Sequence, residues 1–384
     1  MEPTTRCDVL LLGVGGMGAA ALAHVARRGK KVIGLEQDET PSLRGSSVGE
    51  SRVIRKAYYE DPRYVPILER AYVLWRELEK TAGEPLFVST GCMTLGPEGH
   101  EAIRGVLESV TRHRLPHIVL REAEVRARFP AIVPTPGDVG VFEQDAGYLH
   151  VESCTRAHAQ WAVSMGAELR TKTRVTRVDI DQGVHVTLED GTRLFAPKAI
   201  VAAGAWLASS PALRELGRGL GLVVERQVQL WFAPPPWERA ARDGAITTFV
   251  HFVGDRAFYA IPTAESVKVC QHHGGEETAA DDLDRALRPQ DQETVRQYLR
   301  AHLPSVTGPL LRSRVCMYTN TRDQHFVVGR APRHPELILL GGFSGHGYKM
   351  APAIGEIAAE LVDTGTSTLD IAMFDPARLT RDGD

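Results

Sequence analysis

Charge of one sign is what this sequence most clearly lacks: 45 Lys and Arg stand against 48 Asp and Glu in 384 residues, a formal balance of -3. No overall field draws such a chain to nucleic acid or to an anionic membrane surface, so its partners are expected to be small molecules. Long apolar runs are missing as well. The polar start Met1–Arg6 leads into Val9–Leu12, which is too short for a signal-peptide core or a membrane span, and a cytoplasmic protein is expected. Cysteine is sparse and scattered: Cys7, Cys92, Cys154, Cys270 and Cys316 form an odd set without close pairs. That argues against a disulfide framework and against a zinc site, and no metal is expected. Repeats, low-complexity tracts and long flexible linkers are also absent, which excludes a solenoid or a string of loosely tethered domains.

What is present is enough chain for two domains. Cys7–Leu12 is a short apolar run ending in glycines, and Ala19–Arg28 is a helix of small residues closed by Gly29. Lys31–Glu36 is a second strand, with the buried character of a parallel sheet. From Tyr64 onward, Ile67, Leu68, Ala71, Trp75 and Leu78 fall on one helical face. Val151–Met165 is a further helix and Thr173–Ile180 a strand, and Asp190-Gly191 joins Val184–Leu188 to Leu194–Ala196 as a hairpin. Lys198–Ala203, Val223–Phe232, Val250–Ile261 and Val267–His272 read as strands, and Pro234-Pro235-Pro236 as a rigid exit from the second of these. A charged helix spans Asp291–His302; His325–Val328 and Leu337–Leu340 return to sheet, and Ala351–Val362 to helix. Parallel-sheet patterns thus lie at both ends and in the middle, with strand-rich stretches between them. The reading is an α/β fold of two interleaved domains.

Gly13-Val14-Gly15-Gly16-Met17-Gly18 matches G-x-G-x-x-G between a strand and a helix. The glycines suit a tight turn, close backbone approach to a pyrophosphate and close helix-to-strand packing, with the helix N-terminus facing the phosphates. Glu36, about 20 residues on, ends the second strand where an acid accepts hydrogen bonds from ribose hydroxyls. An acid there argues against NADP. It leaves NAD and FAD both open.

Two later blocks, Cys316-Met317-Tyr318-Thr319 and Gly342-Phe343-Ser344-Gly345-His346-Gly347-Tyr348-Lys349, bear on that choice. In order and position they resemble blocks of the monomeric sarcosine oxidase and N-methyltryptophan oxidase family, FAD-dependent amine oxidoreductases of the D-amino acid oxidase superfamily. Gly45-Ser46-Ser47 with Arg52-Val53-Ile54-Arg55, Tyr64-Val65-Pro66 and Ala202-Ala203-Gly204-Ala205-Trp206 also fall where that family has comparable motifs. The resemblance spans nearly the whole chain. It implies an FAD-binding Rossmann-type domain (1–85, 145–220 and 315–384) interleaved with a mostly antiparallel substrate domain (86–144 and 221–314).

The resemblance also implies roles for individual residues. Cys316 would carry FAD through a thioether, a thiolate being the natural nucleophile. Arg44, Ser46, Ser47 and Gly204 would join Gly13, Gly15, Gly16, Met17, Gly18 and Glu36 around the cofactor. Gly345, Gly347 and Lys349, ahead of an apolar helix, would face the electron-rich edge of a reduced flavin. Arg52 and Lys349 would hold the substrate carboxylate, for which a guanidinium fork is suited. Arg55, three residues on, pairs with an acid in the simpler reading. Lys268, after Tyr259-Ala260-Ile261-Pro262, would assist dioxygen, although Thr263–Val267 departs from the family's glycine-rich pattern. His272, Tyr259 and Tyr318 would line the substrate cavity, with Val250 and His251 the place to look for size selection.

The implied activity is oxidation of a secondary amino acid, sarcosine or another N-methyl amino acid, by FAD and dioxygen. Its products are a primary amine, an aldehyde and hydrogen peroxide, and the enzyme is expected to be a monomer. Alternatives that stay open are a dehydrogenase of the same fold, an oxidase of a cyclic or glycated amino acid, an NAD-dependent dehydrogenase and a flavin-binding redox sensor.

Overall fold

The computed structural model describes residues 4–233, 244–306 and 308–380, so Pro234-Pro235-Pro236 lie outside the described residues. Its first layer is a six-stranded sheet in the order Glu168–Arg170, Val32–Leu35, Val9–Leu12, Lys198–Val201, His334–Gly341, Val327–Ala331. All neighbours run parallel except the last pair, which forms a hairpin. Val9–Leu12 is apolar at every position because it is buried on both faces. Val9 and Leu11 pack into the helix layer made by Gly16–Arg27, Val65–Ala82, Val151–Ser164 and Ala351–Asp363. Leu10 and Leu12 pack the other way, against Val184, Val186, Leu188 and Leu194 of a four-stranded sheet that includes the predicted Asp190-Gly191 hairpin.

The second large sheet has nine strands and is mostly antiparallel; only Thr248–Val253 and Cys92–Pro97 run parallel. Its spine is Val223–Phe232, flanked by Leu310–Asn320 along one side and by Val267–His272 on the other, followed by Arg256–Pro262 and Thr248–Val253. The stretch read as one strand, Val250–Ile261, is a hairpin that turns at Gly254, where φ is +60°. The turn pair Gly254-Asp255 lies inside a run rich in aromatic and β-branched residues, whose continuous strand character masks it.

Side chains alternate across this sheet with a period of two. Leu230, Phe249, Ala260 and Val269 point into a core closed by Val295, Tyr298 and Leu299 of the Pro289–His302 helix. Cross-strand partners with the opposite parity place Val250, Tyr259, Lys268, Cys270, His272, Gln227, Gln229, Cys316 and Tyr318 on the other face. That face looks toward the first layer. Between the layers lies a three-stranded sheet, Ser51–Ile54, Gly147–His150 and Phe87–Val88. Among the described residues no helix is long and apolar enough to cross a membrane.

Candidate active site

A cleft of about 1400 Å³ begins at the glycine turn. Gly13 has φ +91°, and a Cβ there would stand 2.7 Å from the Ala202 carbonyl oxygen, so the turn tolerates no side chain. A Cβ on Gly18 would overlap the Gly13 carbonyl oxygen, which is why the helix sits so close to the strand end. Gly15 is different. It lines the cleft, nothing lies within 4 Å of where its Cβ would be, and it caps the Gly16–Arg27 helix with no side-chain hydrogen bond and no acid in the first turn. An open space before uncommitted helix N–H groups suits a pyrophosphate.

Glu36 lines the same cleft, its Oε2 accepting from the Val14 N–H (2.8 Å) and its Oε1 from the Asp38 N–H (3.0 Å). Each oxygen keeps a lone pair for a ribose hydroxyl. Gly16, Met17, Ser46, Ser47, Gly204, Gly345 and Gly347 also line the cleft, so these donors and spaces fit FAD. Gly18 and Arg44 do not line it. Gly18 packs inside the helix, and Arg44 is half-exposed, paired with Asp38 (3.1 Å) and Asp281 (3.0 Å) over the ring of Trp206, itself a lining residue.

A second pocket of about 550 Å³ adjoins the cleft, with Arg52, Tyr318, Gly345 and Tyr348 shared between the two. Arg55, Tyr59, Val250, Tyr259, His272 and Lys349 complete much of its wall. Arg52 donates to the backbone carbonyls of Ser51 (2.9 Å) and Ser46 (2.8 Å). Arg55 donates to the Ala57 carbonyl and lies 3.5 Å from Glu60 Oε2. Lys349 Nζ donates to the His346 carbonyl (2.6 Å), while its own carbonyl accepts from Trp75 Nε1 (2.8 Å), which fixes the loop to the Val65–Ala82 helix. Burial, reinforced by the neighbouring Arg55 cation, pulls the Lys349 pKa down to about 7. Burial would raise the pKa of Glu60, but Arg55, His346 and Lys349 outweigh it and hold the carboxylate below its ordinary value. Two guanidiniums and an amine poised between its charged and neutral forms thus face the pocket, with Glu60 the carboxylate beside them. That balance suits an anionic ligand, whose arrival would favour the charged amine.

His272 shares a hydrogen bond with the Tyr318 hydroxyl (3.1 Å), and burial pushes its pKa well below the ordinary value, so the imidazole is neutral. Lys268 and Cys316 line neither space; both stand just behind the walls. Lys268 Nζ donates to the carbonyls of Gly49 (2.8 Å) and Ser51 (3.1 Å), and burial followed by the Arg52 charge lowers its pKa to about 7. Cys316 Sγ accepts from Gln229 Nε2 (3.1 Å), and the three residues after it line the cleft.

His251, expected beside Val250 at the size-selecting wall, points the other way. Adjacent strand residues face opposite sides, and His251 is buried between Asp138 Oδ2 (2.9 Å) and the Tyr298 hydroxyl (3.0 Å). Sequence reasoning undervalued Arg55 and missed Glu60, Tyr58 and His346. Tyr58 reaches His346 Nδ1 at 2.6 Å and Lys349 Nζ at 3.4 Å. Arg55 and His346 stand inside the blocks Arg52-Val53-Ile54-Arg55 and Gly342–Lys349 but carry no separate mark of a site role there; for Glu60 and Tyr58 no motif stood out.

Comparison with known proteins agrees with this geometry. The profile of the family described as DAO, FAD dependent oxidoreductase, matches residues 8–361. Monomeric sarcosine oxidase of Streptomyces avermitilis is 35% identical to this chain, covering 99% of each. N-methyl-L-tryptophan oxidase of Yersinia pestis is 31% identical over 97% of this chain and 99% of its own. Among solved structures, L-proline dehydrogenase from P. horikoshii superposes with a TM-score of 0.85 at 22% identity, covering 98% of each chain, a likeness of fold alone. A glycine turn built for a pyrophosphate, a cleft that continues to a cationic pocket, and a family match over almost the full length lead to one conclusion: the chain belongs to the DAO family of FAD-dependent oxidoreductases.

Proposed function

We propose that the protein oxidises secondary amino acids, N-methyl amino acids foremost: the amine loses two electrons and becomes an imine, dioxygen takes those electrons and leaves as hydrogen peroxide, and water hydrolyses the released imine to a primary amine and an aldehyde. The observation that carries this reading is the shared wall: Arg52, Tyr318, Gly345 and Tyr348 border both the dinucleotide cleft and the cationic pocket. A molecule held in the pocket therefore meets whatever occupies the inner end of the cleft. Bound FAD supplies there a two-electron acceptor for a C–H bond, restored by dioxygen.

The glycine turn Gly13–Gly18 and Glu36 would hold the ADP half, with Ser46, Ser47 and Gly204 along its path and Arg44 closing the outer rim. Gly345 and Gly347 would face the ring system, and Cys316 would tether it through a thioether. Arg52, Lys349 and, on its place in the pocket, Arg55 would hold the substrate carboxylate, which fixes the amine-bearing carbon against the shared wall. The same cations disfavour a second positive charge and so help the substrate nitrogen to shed its proton, giving the neutral amine. His272 stays neutral and adds no competing charge, while Tyr259 and Tyr318 exclude water. Lys268, held by two carbonyls, would offer its ammonium to the reduction of dioxygen.

The test is direct. The purified protein is examined by visible spectroscopy before and after acid precipitation, and N-methyl amino acids are screened for peroxide release. Yellow colour that stays with the pellet and stoichiometric peroxide are expected; a colourless protein, or amine oxidation without peroxide, refutes the reading. The Streptomyces relative is named monomeric, and size-exclusion chromatography decides whether this chain is too.

A further inference from the structure

The carbonyls that hold Lys268 come from a short segment with an unusual backbone. Gly49 and Glu50 both have positive φ, +102° and +66°, and for glutamate that conformation is uncommon. In it the carbonyls of Gly49 and Ser51 converge on Lys268 Nζ, and the Ser51 carbonyl also accepts from Arg52. Two sets of contacts keep the segment in this shape. From the helix Val151–Ser164, the Glu152 carboxylate accepts from the N–H groups of Gly49 (2.7 Å) and Glu50 (2.9 Å). From the sheet, Arg312 grips the Glu50 carboxylate with two hydrogen bonds of 2.7 Å each.

Arg312 is placed to do this by register. Trp231 stands opposite Lys268 on one neighbouring strand and opposite Arg312 on the other. Both cations lie against its ring, Lys268 Nζ at 5.1 Å and Arg312 Cζ at 5.4 Å from the centroid. The row Lys268–Trp231–Arg312 and the link Arg312–Glu50 close a loop through the Gly49–Ser51 backbone to Lys268 again. An isolated exposed ion pair contributes little to stability; one that closes such a loop restrains what the loop contains.

We propose that Arg312, Glu50 and Glu152 are positioning residues for the reaction with dioxygen, acting by holding the Gly49–Ser51 carbonyls so that they fix the Lys268 ammonium. The inference rests on the reading that Lys268 serves dioxygen. Arg52 has a second anchor on the Ser46 carbonyl, so the amine-oxidising step depends less on the segment.

The experiment uses the full-length holoenzyme and the variants Arg312→Gln, Glu50→Gln, their double, Arg312→Lys, Lys268→Met and, as a control surface pair partner, Arg300→Gln, whose native partner is Glu293 at 2.9 Å. Two readouts are taken: hydrogen–deuterium exchange of peptides spanning residues 48–52, and kcat/KM measured separately for dioxygen and for an N-methyl amino acid. Arg312→Gln and Glu50→Gln are each expected to speed exchange about fivefold and to lower kcat/KM for dioxygen by a similar factor, with the amine term moving less than about twofold. The double variant should be no worse than either single, Arg312→Lys should recover part of the loss, and Arg300→Gln should change nothing. If Lys268→Met slows the dioxygen step while Arg312→Gln alters neither readout, the inference falls and the reading of Lys268 stands. An equal loss in both kinetic terms marks a general structural role and overturns it as well. If Lys268→Met leaves the dioxygen step untouched, the reading falls and takes the inference with it.

Discussion

Replacing Lys349 by Met should set substrates that carry a carboxylate apart from those that do not. The side chain is buried, and it stands with Arg52 and Arg55 at the smaller pocket. Removing one partner from a buried, hydrogen-bonded charge pair costs about 2–5 kcal/mol. Arg52 and Arg55 remain to share the anion, so the lower part of that range applies. A loss of about 2–3 kcal/mol corresponds to roughly 30- to 150-fold in kcat/KM. The carboxylate both anchors the substrate and fixes the amine-bearing carbon, so the loss should be shared between KM and kcat. N-Methylbenzylamine, which carries no carboxylate, serves as control and should lose less than about threefold. Internal hydrogen bonds to the His346 carbonyl and the Tyr58 hydroxyl disappear too, so flavin content and melting temperature are compared first. The Trp75 bond is made to the Lys349 backbone and survives. Oxidase assays over both substrates decide the matter. A parallel fall for the acid and the control, or a fall confined to kcat, would refute the assignment of Lys349 to the carboxylate.

Gly18→Ala should abolish flavin binding, because the added methyl overlaps the Gly13 carbonyl and displaces the turn; the ratio of visible to ultraviolet absorbance reads this directly. Cys316→Ala should leave protein that binds FAD reversibly but loses its colour to the supernatant on acid precipitation, whereas retained colour would place the attachment elsewhere. His24 and His158 are buried and neutral, burial pulling both pKa values to about 3. Between pH 3 and 6.5 the unfolded chain binds more protons than the folded one, so their contribution is complete above pH 6.5 and declines as pH falls below it. At pH 5.5 the pair should cost about 2–3 kcal/mol relative to pH 7.5, at roughly 1.4 kcal/mol per histidine per pH unit. Urea midpoints at the two pH values measure this, and the dependence should flatten in a His24→Gln/His158→Gln variant.

Much of the dinucleotide site was legible because backbone geometry wrote it. A turn that excludes side chains has to be glycine at positions 13 and 18, and a helix packed on a parallel sheet has to be small and apolar. Those are constraints on residue type within a few neighbours. The pocket depends on residues far apart in the chain, and its rules are weaker. Arg52 and Arg55 look alike in sequence, yet one touches both spaces and the other only the pocket. Glu60 and Tyr58 belong to an irregular stretch without periodicity, so nothing local marks their partnership with His346, almost three hundred residues away. His251 was misplaced because it was grouped with its neighbour Val250, although adjacent strand residues face opposite sides; alternation along Thr248–Val253 assigns Val250 to the pocket and His251 to the core.

That alternation also separates two kinds of inheritance within the same strands. Phe249 and Ala260 pack the core, while their immediate neighbours Val250 and Tyr259 line the pocket. A descendant enzyme can therefore be retailored for a bulkier or slimmer amine one letter at a time, without renegotiating the core behind the sheet.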